Sequence, residues 1–357
     1  MRKIIHVIET LGVGGAETLL VNTVNALEGV EQIVLFLTFP DTLQDAFKKE
    51  VSIICLNHKK GIRSLCTIGK IRNIVRRERP DIVHAHLLGP MLYCRLALPK
   101  GIKLVSTIHS ILSIDAYRHN PSMRRLDRLL HKKGEVIIGV SKSVLDDYDH
   151  EVGIKGGSAV LYNFVSEAFF EVQWNPRKAI EYPIKLVAIG NLRAAKNHRF
   201  LLDSFAKLPK GKFSLDIYGE GPLKEALQRI IDKEELNVCL KGSVNAVEKV
   251  LLNYDAYVMS STLEGHSIAV AEAMAVGIPM ILSKIPTLVE GSFGYASFFD
   301  LDDSLSLTKL LLDFEDIYED MKKNAAQAKE IAFINYQKGA YVKKLLGVYT
   351  DALKTAK

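Results

Sequence analysis

Apolar residues along this chain gather in short runs, and the stretches between them carry apolar positions at helical spacing. The runs are Lys3–Ile8, Gln32–Thr38, Ser52–Leu56, Ile82–Ala85, Lys103–Ile108, Val136–Val140 and Ala159–Tyr162. Helical patterns lie between most of them, among them Ala16–Leu27, Cys66–Arg79 and Ser141–Tyr148. Such alternation predicts a parallel sheet covered by helices. The pattern pauses over Glu167–Pro183, where Trp174, Pro176 and Pro183 show no periodicity, and this reads as a connection between domains. It resumes with strands at Lys185–Ile189, Phe213–Tyr218, Val238–Leu240, Ala256–Met259 and Met280–Leu282. Helices are predicted there at Asn197–Lys207, Leu223–Glu234, Val247–Leu252 and Ser267–Val276.

The expected fold is α/β, with two doubly wound halves and a cleft between them. The first domain covers 1–166, a linker 167–183, and the second domain 184–339. Residues 340–357 carry Tyr341, Leu345, Leu346, Val348, Tyr349 and Leu353 at helical spacing. They are expected to form an amphipathic helix that returns to the first domain. Ligands of such sheets bind at the carboxyl ends of the strands.

Composition adds bounds. A length of 357 residues fits two domains, and 48% apolar with 25% charged residues marks a globular chain. Cys55, Cys66, Cys94 and Cys239 have neither metal nor disulfide spacing, so reduced, cytosolic thiols are expected. The first strand follows directly on Arg2 and Lys3, without a secretory signal. No apolar run approaches the length of about 18 residues that a membrane span needs. Through Phe170 there are 23 Lys and Arg against 17 Asp and Glu, and 24 against 24 thereafter. A basic excess confined to the first half points to an acidic partner there. Two stretches carry much of it: Lys59–Arg79, with Lys59, Lys60, Arg63, Lys70, Arg72, Arg76, Arg77 and Arg79, and Arg118–Lys133, whose cations alternate with Met123, Leu126, Leu129 and Leu130. Each reads as a solvated face or as a surface for anionic lipid.

The chemistry gathers at strand ends. In Ser260–Pro279, Ser267 suits an N-cap, Gly277 a left-handed C-terminal position, and Pro279 ends the helix. Within that apolar helix Glu272 is the one polar residue from Ile268 to Val276, and a buried carboxylate needs a side chain or a ligand as partner. Glu264, eight positions earlier, stands too far off for a close acid–base pair, yet the two suit opposite ends of a long hydroxyl-bearing ligand. Arg193 and Lys196 follow a strand and a glycine turn, as diphosphate ligands at a helix N-terminus or as solvated cations. Gly12–Glu17 is a glycine turn opening a helix; Glu17 stands where a dinucleotide fingerprint needs glycine. His109 ends a strand, as do His84 and His86.

Together these pieces resemble the retaining glycosyltransferases of family four, with the GT-B fold. The resemblance rests on Gly14-Gly15-Ala16-Glu17, on Asp81–His86 and Thr107–His109, on the Gly190–Lys196 loop, and on Tyr218–Pro222. It rests above all on Glu264 and Glu272 as an E-x7-E motif, followed by Ala275, Gly277 and Pro279. It implies a UDP- or GDP-linked sugar as donor, with no further cofactor. Glu272 would hold the ribose, Glu264 and His109 the donor sugar, and Lys196 the diphosphate. Gly14, Gly15, Asn191, Arg193, Gly265, His266 and Ser267 would complete the donor site. Asn191 stands where the family often has Arg, and Arg193 is the candidate replacement.

The acceptor implied is a glycan or lipid-linked sugar of cell-surface polysaccharide or glycolipid assembly. The chain would be cytoplasmic, with peripheral contact to the inner face of the plasma membrane through its basic half and no nucleic-acid partner. No Asp-x-Asp metal motif stands out, so no required metal is expected. A nucleotide-sugar epimerase of the same fold and a non-catalytic sugar-nucleotide binder are the alternatives.

Overall fold

The computed structural model describes residues 1, 3–59, 64–177 and 179–354. Arg2, Lys60 and Arg63 lie outside them. The chain divides into two compact units, Met1–Asn163 joined by the chain from Lys338, and Phe164–Gln337.

In chain order the first unit begins β1 (Lys3–Ile8), α1 (Gly15–Ala26), β2 (Glu31–Phe36), β3 (Ser52–Cys55), α2 (Ser64–Glu78), β4 (Ile82–His86) and α3 (Leu88–Ala97). It continues β5 (Lys103–Ile108), α4 (Ala116–His119), α5 (Pro121–Leu130), β6 (Val136–Gly139), α6 (Lys142–Val152) and β7 (Gly157–Val160). The second unit runs α7 (Ala168–Glu171), β8 (Ile184–Ile189), α8 (His198–Phe205), β9 (Phe213–Tyr218), α9 (Lys224–Lys233), β10 (Val238–Gly242), α10 (Val247–Leu251) and β11 (Ala256–Met259). It ends with α11 (Ile268–Val276), β12 (Met280–Ser283), α12 (Pro286–Gly291), β13 (Ser297–Phe299), α13 (Ser306–Leu312) and α14 (Phe314–Asn335). The last helix, α15 (Lys338–Lys354), belongs to the first unit.

Both sheets are parallel. Among the described residues the first has seven strands in the order β3-β2-β1-β4-β5-β6-β7, and the second six, β10-β9-β8-β11-β12-β13. The order reverses between β1 and β4 in one and between β8 and β11 in the other. At such a switch point the flanking loops part and leave a crevice beyond the strand ends. Most of the loops that carry the candidate chemistry leave these four strands, and His109 follows β5, next to β4.

The stretch read as a linker differs from expectation. The unit boundary falls at Asn163 and Phe164, and the following residues belong to the second unit. Trp174 is buried, its indole Nε1 donates to the Tyr254 carbonyl at 2.8 Å, and its backbone N–H donates to Val276 O at 3.3 Å. These anchors are tertiary, so they leave no periodicity to read. Residues 338 and 339, expected in the second domain, start α15 in the first unit.

Candidate active site

In the second unit the switch-point loops are stitched to each other. Ser260 Oγ donates to the carbonyls of Lys196 at 3.2 Å and Asn197 at 2.9 Å, and Thr262 N donates to Ala195 O at 2.8 Å. A single 3-10 turn, Ala194–Lys196, ends at Asn197 in the left-handed region, φ 51°. This frame brings Lys196 Nζ to Glu264 Oε1 at 2.6 Å, both side chains largely buried. The two charges expected on different parts of a donor are thus one ion pair across 68 residues of sequence. Arg193 and Asn191 are exposed on the same loop. The glycines of Tyr218–Pro222 have a packing reason. A side chain at Gly219 would strike the Gly190 carbonyl, and a Cβ at Gly221 would meet Leu192 O at 2.6 Å.

Helix α11 forms as its sequence predicts. Ser267 Oγ accepts from Val270 N at 3.4 Å, and Gly277 takes the left-handed conformation at φ 82°. The helix is buried among α14, α7 and α10, where Ala325, Ala328 and Ala332 of α14 are also buried; small side chains allow close helix approach. The imidazole of His266, expected at the donor, is buried edge-on against Tyr336 at 5.1 Å.

Glu272 is half-buried on α11, with no hydrogen bond or ion pair among the described residues. Burial, reinforced by the charge of Glu248, raises its carboxyl to about 8. A carboxyl raised in the folded state above its ordinary value near 4.5 keeps a proton that the unfolded chain releases. Stability from this group is complete below that value and falls as pH rises towards 8. Glu272→Gln, neutral at every pH, is expected to flatten the decline in thermal midpoint between pH 5 and pH 8. Parallel melting curves for parent and variant would refute it.

In the first unit the register gathers imidazoles. His6 of β1 pairs with His84 of β4, and His86 of β4 pairs with Thr107 of β5. With alternate residues on one face, His6, His84, His86 and Thr107 share a side of the sheet with His109. All four imidazoles are held neutral by burial, His109 lowered to about 4. Ligand atoms of His6, His84 and His86 lie within 4.8 Å of one another. They do not form a metal site as arranged, because both His84 nitrogens are engaged, Nδ1 with Tyr349 OH and Nε2 with Thr107 Oγ1, each at 2.7 Å. Two Asp-x-Asp triplets do occur. Asp149 of α6 and Asp300 cap local backbone, accepting from Ile154 N and Asp302 N, and Asp147 of α6 accepts from Ser113 N, 34 residues earlier.

Gly14 caps α1, but the Glu17 carboxylate folds back over it and accepts from Thr10 Oγ1 at 3.2 Å. A carboxylate so close to the turn opposes a diphosphate there.

Two family descriptions divide the chain between them. Residues 13–169 match Glycosyltransferase Family 4, and residues 172–296 match Glycosyl transferases group 1. The chain is a family-four-type glycosyltransferase. This glycosyltransferase is 24% identical over 312 residues to the N-acetyl-alpha-D-glucosaminyl L-malate synthase of Bacillus anthracis, covering 82% of this chain and 80% of that one. It is 27% identical over 217 residues to the N-acetylgalactosamine-N,N'-diacetylbacillosaminyl-diphospho-undecaprenol 4-alpha-N-acetylgalactosaminyltransferase of Campylobacter jejuni, covering 57% and 58%. In fold it matches Anabaena HepE, solved in complex with UDP, at a TM-score of 0.82 and 15% identity over 98% of this chain and 100% of that one. The glycosyltransferase thus has the GT-B fold.

The two basic stretches of the glycosyltransferase differ in use. In α2, Arg72 donates to the carbonyls of Leu96 and Ala97 and Lys70 to that of Leu56, so these cations tie elements together. In α5 the usual arrangement is inverted: Asp127 is fully buried, whereas Leu126 is 40% and Leu129 78% exposed. Sequence reasoning missed the reason. Asp127 is an internal partner of the buried Arg95.

Proposed function

We propose that this glycosyltransferase moves a sugar from a UDP-sugar to a lipid-linked glycan acceptor, with retention at the anomeric carbon and without a required metal or further cofactor. The observation that carries the reading is the Lys196–Glu264 pair at the second unit's switch point, beside a helix bearing the unpartnered Glu272. UDP as carrier is supported by the complexes of HepE with UDP and with UDP-glucose. A lipid-linked acceptor is supported by the name of the Campylobacter relative.

Lys196, Arg193 and the N-terminal turn of α11, Gly265–Ser267, hold the diphosphate; Asn191 lies on the same loop. Glu272 accepts from the ribose hydroxyls and Glu264 from those of the sugar. His109, a neutral imidazole, is the sugar-contacting group of the first unit, and the Gly14–Gly15 turn with Glu17 suits hydroxyls. The acceptor oxygen bonds to the anomeric carbon on the face the diphosphate leaves. The breaking C–O bond leaves its electron pair on the phosphate oxygen, which takes the acceptor proton. Lys196 stabilises the charge gathering there.

Assay with a panel of radiolabelled UDP- and GDP-sugars and undecaprenyl-linked acceptors tests the reading. Transfer from a UDP-sugar, undiminished by EDTA and giving an α-linked product from an α-linked donor, is expected. A β-linked product overturns retention, and EDTA abolition overturns metal independence. Donor isomerisation without acceptor would favour an epimerase.

The exposed leucines of α5, beside exposed Arg125, Arg128, Lys132 and Lys133, are the surface proposed to meet anionic lipid. The protein is expected to float with phosphatidylglycerol vesicles, and Leu126→Glu/Leu129→Glu to lose this. Equal flotation of both forms would exclude α5.

A further inference from the structure

The strand face that carries the imidazoles is covered by α15, which packs on α1 and β5. Its Tyr349 is fully buried and reaches His84 Nδ1 at 2.7 Å. His84 Nε2 in turn meets Thr107 Oγ1 at 2.7 Å. The direction of these bonds follows from the partners present. The Tyr349 hydroxyl has no other hydrogen-bond partner among the described residues, and burial keeps it protonated. It therefore donates to Nδ1. A neutral imidazole carries one N–H, so His84 bears it on Nε2 and donates to Thr107.

Thr107 lies two residues before His109 on the same side of β5. The His84 ring packs on His86 at 4.1 Å between centroids, and His86 faces His109 at 5.7 Å. The His109 ring has no hydrogen bond among the described residues, and its Nε2 is buried without a partner. The ring packs against His86 and follows the strand that Thr107 helps fix.

We propose that Tyr349, on the last helix, is a positioning residue for His109: it fixes the tautomer and orientation of His84, and through Thr107 and the His86 ring it sets the imidazole that meets the donor sugar. This rests on the reading of His109 given above. An unheld ring samples orientations that miss the sugar, and misplacements of about 1 Å cost about 10²-fold in rate.

The test uses three variants of the full chain. Tyr349→Phe removes only the hydroxyl. Tyr341→Phe removes the other tyrosine hydroxyl of α15, which accepts from Thr23 Oγ1 at 3.1 Å. Both are expected to lower the thermal midpoint by a few degrees. Only Tyr349→Phe is expected to lower kcat, by about 10- to 100-fold, with the donor KM little changed. In ¹⁵N side-chain spectra His84 should change from the pure Nε2–H tautomer to a mixture, and the His109 signals should shift with it.

Equal effects of the two tyrosine variants on kcat, or an unmoved His109 signal in Tyr349→Phe, overturn the proposal while leaving the role of His109 intact. His109→Ala separates the two failures. Full activity in that variant overturns the reading of His109, and the positioning role with it.

Discussion

Replacing Lys196 with alanine is expected to lower kcat by about 10²–10³-fold, with the KM for the donor sugar much less affected. The ground-state diphosphate already carries charge, but the bond to the sugar adds more as it breaks, and under the proposed mechanism the ammonium of Lys196 meets it. Its position is set by backbone: Ser260 and Thr262 hold the Ala195–Asn197 carbonyls. The loop's backbone bonds survive removal of the side chain, but the largely buried Glu264 loses its counter-charge, so the variant's thermal midpoint should fall by a few degrees while the loop stays in place. Glu264, paired with Lys196 at 2.6 Å, gives the experiment a second arm. Donor entry must exchange this carboxylate for phosphate oxygens around the ammonium. Glu264→Gln weakens that competition but retains an acceptor for sugar hydroxyls, so it should lower kcat less than Lys196→Ala. Turnover of Lys196→Ala within about tenfold of the parent would remove the leaving-group role.

The second large effect concerns stability. Arg95 of α3 is buried with its guanidinium in contact with Asp127 of α5. Its Nε and Nη2 donate to the Glu135 carboxylate at 2.7 and 3.1 Å, and Nη2 also to Tyr148 OH of α6 at 2.9 Å. Ser106 of β5 closes the group, donating to Glu135 at 2.7 Å. One side chain thus ties three helices to the end of β6. Arg95→Leu leaves two carboxylates buried without their counter-charge. The expected loss is about 3–5 kcal/mol, read as a thermal midpoint lower by roughly 6–20 °C in the first unit. Arg95→Lys should rescue little, because an ammonium cannot make the planar, bidentate contact. A shift under about 2 °C would show that water replaces the guanidinium. The buried Asp127 also explains α5: with its charge turned inward, Leu126 and Leu129 are turned outward.

The parts of this molecule legible in the sequence are those that local chemistry determines. Strands buried on both faces announce themselves as apolar runs, and Ser267, Gly277 and Pro279 bound α11 where their backbone preferences require. The missed parts are tertiary. β13 is three residues long, too short for a pattern. The Trp174 segment has its partners 80 and 102 positions away, at Tyr254 and Val276. Glu272 could be recognised as a carboxylate in need of a partner, yet nothing local paired Glu264 with Lys196. His84 and His86 looked like strand-end candidates similar to His109. Only the register between β1, β4 and β5 shows that His84 faces α15 and is saturated by two hydroxyls.

The first unit is finished by its last helix, and this bears on how the protein is made. Tyr349 meets His84 across 265 residues, and the whole second unit is synthesised between them. While the ribosome extends that unit, the first exists without α15, its histidine-bearing face uncovered and its polar groups open to water. The order of synthesis therefore reverses the order of completion. Domains usually fold as they emerge, amino-terminal first, but here the amino-terminal unit is completed only once α15 has been made.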